Sequence, residues 1–97
     1  MAKARYAPEA RSDLADIWSY IARDNPRAAN RVVSNIMKRC ELLARMPRMG
    51  RLRHDLAPQL RSFAVGDYVI FYRIKERGVF IARVLSGFRN LEALFHE

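Results

Sequence analysis

The clearest pattern along the chain lies between Leu60 and Asn90 (LRSFAVGDYVIFYRIKERGVFIARVLSGFRN). Three runs rich in β-branched and aromatic residues are separated by two turn signals, Gly66-Asp67 and Lys75-Glu76-Arg77-Gly78, which predicts a three-stranded antiparallel meander. Pairing across those turns places Arg61, Phe63, Val65, Tyr68, Ile70, Tyr72, Ile74, Val79, Ile81, Arg83 and Leu85 on one face. Leu60, Ser62, Ala64, Val69, Phe71, Arg73, Phe80, Ala82 and Val84 fall on the other. Both faces are largely apolar and both need cover.

Upstream the period changes from two to that of a helix. Ala4-Arg5-Tyr6 is a short candidate edge strand. Pro8 suits a first helical turn, and Ala10, Leu14, Ile17, Trp18 and Ile21 then recur at helical spacing. Asn25-Pro26 ends that helix and starts another, whose stripe is Val32, Val33, Ile36, Met37, Cys40, Leu43 and Ala44, stopping before Pro47. So short a joint predicts an antiparallel helical hairpin. Met46 to Pro58 reads as an irregular basic connection with Arg48, Arg51, Arg53 and His54, Arg45 lying just before it. The predicted fold is α+β: a short strand and a helical hairpin packed on one face of a C-terminal antiparallel meander. One hairpin covers one face, so the face bearing Phe63, Tyr68, Ile70 and Tyr72 is expected to await a partner, with Arg73 on the opposite face reaching toward the helices.

A chain of 97 residues is expected to form a single domain with one modest core. Its net charge of +8 favours an acidic partner, nucleic acid or protein. One cysteine, Cys40, excludes an internal disulfide and a cysteine-based metal site, and no cofactor is expected. No apolar run reaches membrane-spanning length and the amino terminus has no signal-like segment, so a cytoplasmic location is expected.

The chain resembles the ParE/RelE family of bacterial toxin–antitoxin toxins. The resemblance rests on ARSDLADIWSYIA, NPRAA, PRMGR, LRSFAVG, VIFYR and RVLSGFRN, in that order and spacing. It is nearest the ParE branch, although Ser86 and Asn90 stand where that branch usually has histidine and aspartate. The resemblance implies a toxin that inhibits DNA gyrase by binding, a ParD-like antitoxin with a ribbon-helix-helix end, and a higher-order toxin–antitoxin complex. The alternative is a RelE-like, ribosome-dependent messenger ribonuclease. That chemistry needs a general acid and base, and the candidates are poor: His54, His96, Tyr68 and Tyr72.

Arg61 and Arg83 share an apolar face in the predicted register, where a guanidinium must be paired, wet or held for a partner. The residues expected to meet antitoxin or target are therefore Arg61, Phe63, Tyr68, Ile70, Tyr72 and Arg83, with Phe88, Leu91 and Phe95 from an apolar stripe in the tail. Asn90 to His96 is expected to form a terminal helical turn. No catalytic residue and no metal ligand is assigned.

Overall fold

The computed structural model describes residues 2–87. Strand β1 (Lys3–Tyr6) leads into helix α1 (Pro8–Ala22) and helix α2 (Pro26–Arg45). A single 3₁₀ turn (Pro47–Met49) and a two-residue strand β2 (Arg51–Leu52) follow, then β3 (Arg61–Val65), β4 (Tyr68–Lys75) and β5 (Gly78–Ser86). The five strands form one sheet in the order β1-β5-β4-β3-β2. The meander pairs antiparallel as expected, and β1 joins its outer edge parallel to β5.

The joint between the helices follows from its sequence. The Ile21 carbonyl accepts from the Asp24 and Asn25 amides at 3.2 and 3.0 Å, which closes α1. The Asn25 side chain accepts from the Ala28 amide at 3.1 Å, and Pro26 occupies the first turn of α2. At the other end of the molecule β1 docks where only glycine fits. A Cβ on Gly78 would collide with the Lys3 backbone, and its φ of 144° is unfavourable for an L side chain.

The hairpin lies on the face that was expected to stay open. Ala10 and Leu14 of α1, with Ile36, Cys40, Leu43 and Ala44 of α2, pack against Val65, Ile70, Tyr72, Val79, Ile81 and Val84. The opposite face carries a second, smaller cluster in which Leu56 and Leu60 cover Phe71 and Leu85. The basic connection is therefore partly an apolar cover, supplied by the chain itself. Its backbone closes locally through Leu56 N and Ala57 N to Arg53 O (3.0 and 3.2 Å) and Arg53 N to Leu60 O (2.7 Å). Arg73 reaches this cover and not the helices, its Nε donating to the Pro58 carbonyl at 3.1 Å.

The predicted register also fails at one point. A β-bulge interrupts the β4–β5 ladder: Tyr72 faces Ile81 while Phe71 faces Arg83. The extra residue, Ala82, shifts the strand's alternation by one. Val84, expected to share a face with Phe71, joins Ile70 and Tyr72 in the helix-side core, and Leu85, expected beside Tyr72, joins Leu56, Leu60 and Phe71 on the other side.

Candidate functional site

Tyr72 is fully buried, and its hydroxyl is shared by two backbone groups. It donates to the Pro47 carbonyl and accepts from the Gly50 amide, both at 2.8 Å. Burial pushes its pKa up from the usual tyrosine value, against the opposing effects of the Gly50 amide and the nearby Arg61 charge. Arg61, on the neighbouring strand opposite Tyr72, donates from Nη1 to the Gly50 carbonyl at 2.7 Å. Two side chains of the sheet thus hold both ends of the Pro47–Gly50 turn. Gly50 is the residue that permits it, since a Cβ there would overlap the Tyr72 ring.

Arg83 is held on the helix side. Its Nε and Nη2 meet Oδ2 and Oδ1 of Asp13 on α1, both at 2.8 Å, a bidentate pair. The same carboxylate accepts from the Val84 amide at 2.9 Å. Asp13, chiefly by hydrogen bonding, raises the Arg83 pKa above its usual value. Asp13 therefore satisfies the arginine's charge and one amide of the strand just beyond the bulge. The sequence gives no sign of this partner beyond an acidic residue beside a helical apolar stripe.

The other expected site residues scatter. Ile70 is fully buried beneath the helices. Phe63 and Tyr68 are half-buried against the same core. Phe88, Leu91 and Phe95, with the helical turn expected over Asn90 to His96, lie outside the described residues. His54 is exposed, and Arg53 beside it is paired with Asp55 at 2.9 Å. Among the described residues no group of three or more His, Cys, Asp or Glu is placed to hold a metal, and no helix is long and apolar enough to cross a membrane.

Open clefts occur among the described residues, two of them beside α1. The larger, about 580 Å³, runs between α1 and the ends of β4 and β5, and its lining includes Asp16, Tyr20, Arg23, Tyr68 and Ser86. The second, about 480 Å³, lies along the helical hairpin beside Tyr6, Trp18, Asn30, Val33, Met37 and Glu41. Trp18 and Met37 are 40% and 43% exposed there although they belong to the helices' apolar stripes. The Trp18 indole is fixed by donating from Nε1 to the Asn30 side-chain oxygen at 2.8 Å. A rigid indole beside a flexible methionine is a composition suited to receiving an apolar segment. Periodicity marked both residues as apolar but could not distinguish the core-facing side of the stripe from its shoulder.

Residues 4–91 match the family described as the ParE toxin of the type II toxin–antitoxin system, parDE. The chain belongs to the ParE toxin family. Among relatives it is 34% identical to Toxin ParE3 of Caulobacter vibrioides, over 84% of this chain and 82% of that protein. Toxin RelE3 of the same organism is 33% identical over 87% and 92%. Toxin ParE1, also from that organism, is 34% identical over 92% and 93%. Among solved structures it resembles a chain of the chromosomal ParDE system from P. aeruginosa, with a TM-score of 0.74 over 89% of this chain and 96% of that one. At 21% identity that likeness is one of fold. A chain of the toxin–antitoxin complex RelBE2 from Mycobacterium tuberculosis matches at a TM-score of 0.61 and 31% identity, over 88% and 96%. The two helices and mostly antiparallel five-stranded sheet are the architecture of this ParE/RelE superfamily.

Proposed function

We propose that this ParE-family toxin arrests growth in the cytoplasm by binding DNA gyrase, not by chemistry of its own. The reading is supported by the engagement of the three most reactive-looking groups of the sheet inside the chain. The Tyr72 hydroxyl and the Arg61 guanidinium hold the Pro47–Gly50 turn, and Arg83 holds Asp13. A ribonuclease would need an acid and a base free to move protons on a substrate. Family membership in the ParE branch agrees with the binding reading.

A ParD-like antitoxin with a ribbon-helix-helix end is the proposed neutralising partner, forming a higher-order complex. Solved relatives of this fold come from a ParDE system and a RelBE2 toxin–antitoxin complex. The groove of Trp18, Val33 and Met37 is the surface we assign to its apolar segment, in place of the buried Ile70 and Tyr72. Phe63, Tyr68 and the tail residues Phe88, Leu91 and Phe95 remain proposed contacts for antitoxin or gyrase.

A RelE-like ribonuclease is the second reading, favoured by the 33% identity to Toxin RelE3. Purified toxin assayed separately on gyrase supercoiling and on ribosome-bound messenger distinguishes the two. Inhibited supercoiling with intact messenger is expected; cleaved messenger with unaffected gyrase would overturn the proposal.

A further inference from the structure

Helix α2 also carries a row of cations along its solvent side. Arg27, Arg31, Lys38 and Arg45 are all exposed. At 3.6 residues per turn they fall within about 40° of arc and span about 27 Å of helix. The buried residues Ala29, Ile36, Cys40 and Leu43 lie on the opposite side. Among the described residues none of the four cations has an ion-pair partner. Ser34 and Asn35 flank the row and are exposed, and Glu41 stands at its edge toward the apolar groove.

From this geometry we infer that the solvent ridge of α2 is a docking surface for the phosphate backbone of duplex DNA. Charge complementarity with a regular polyanion is the first reason: a straight, rigid row of cations suits a polymer with a negative charge every 1.7 Å or so of its axis. Composition is the second. Protein interfaces depend on buried apolar anchors, and this row presents cations, a serine and an asparagine. Those are groups that contact phosphate and sugar without reading sequence. Single strands are held largely by stacking on aromatic rings, and the ridge carries none. The site does not rest on the gyrase reading: it lies on α2, apart from the sheet, and borders the groove only through Ser34 and Lys38.

The test is fluorescence anisotropy of the purified full-length toxin with a labelled random-sequence duplex, read across a salt series. Four neutralised phosphates give a slope of log affinity on log salt of about −3.6, or about 150-fold weaker binding when salt rises about fourfold. Arg31→Gln, Lys38→Gln and Arg45→Gln combined should make the slope shallower by about 2.7. Arg5→Gln, Arg23→Gln and Lys75→Gln combined remove the same charge from exposed positions off the ridge and should leave the slope nearly unchanged. Circular dichroism establishes that both triple variants are folded. Equal slopes in wild type and ridge variant, equal losses in both triple variants, stronger binding to single strands, or binding of polyglutamate without binding of the duplex would each overturn the inference.

Discussion

Tyr72→Phe deletes one oxygen from the interior and leaves the ring and its packing in place. In wild type that oxygen makes two hydrogen bonds of 2.8 Å, to the Pro47 carbonyl and from the Gly50 amide. An intramolecular hydrogen bond contributes about 1 kcal/mol net, and a buried group left without a partner costs about 1–3 kcal/mol. Gly50 is buried, so its amide would be stranded, whereas the half-buried Pro47 carbonyl can recover water. The expected loss is therefore about 2–3 kcal/mol, a large part of the 5–15 kcal/mol typical of a domain. Urea unfolding followed by circular dichroism should show the midpoint fall by about 1 M, at a slope of about 2 kcal/mol per M typical of small domains. Tyr20→Phe is the control: Tyr20 is 71% exposed, and removing its hydroxyl should change little. A loss below about 0.5 kcal/mol for Tyr72→Phe would refute the reasoning that its hydroxyl holds the turn. Function reads out separately. Under conditions where the variant is folded, gyrase inhibition should persist; a folded but inactive Tyr72→Phe would favour proton-transfer chemistry.

Asp13→Ala and Arg83→Ala should each cost about 2–3 kcal/mol, below the 3–5 kcal/mol of a fully buried pair because the side chains retain 11% and 26% exposure. The double variant should cost less than the sum; additivity in unfolding experiments would show that the pair is not coupled. Trp18→Ala should weaken antitoxin binding about 30-fold, equivalent to about 2 kcal/mol. Calorimetric titration showing unchanged affinity would move the antitoxin off the groove. Alkali should destabilise the fold. Burial pushes the Cys40 thiol up to about 11 and raises Tyr6 and Tyr72 from their usual values. Folded protein holds these protons more tightly than unfolded chain, so their contribution is complete below about pH 9 and is lost as pH rises through about 11. Cys40→Ala should flatten the first part of that fall in a pH series of unfolding midpoints.

The elements were legible in the sequence because each depends on neighbours within a few residues. Pro8, Asn25-Pro26 and Gly66-Asp67 mark boundaries by local backbone chemistry, and alternation separates strand from helix. The order and spacing of those elements also carried the family resemblance. Which face the hairpin would cover was not legible. Both sheet faces are apolar, and alternation says only that two residues share a side, not what lies above them. The bulge at Ala82 was hidden for a related reason, since one extra residue in a ladder leaves no signature in a run of apolar residues, yet it exchanges Val84 and Leu85 between the two cores. Leu56 was obscured by the arginines of the connection, whereas alternation alone placed Leu60 beside Phe71. The partners that fix Tyr72, Arg61 and Arg83 are 11 to 70 residues away in the chain. The sequence could show that a guanidinium or hydroxyl on an apolar face needs a partner. Only the packing of α1 and the Pro47–Gly50 turn against the sheet determined that those partners lie within the chain, because such pairing depends on distances that folding alone creates.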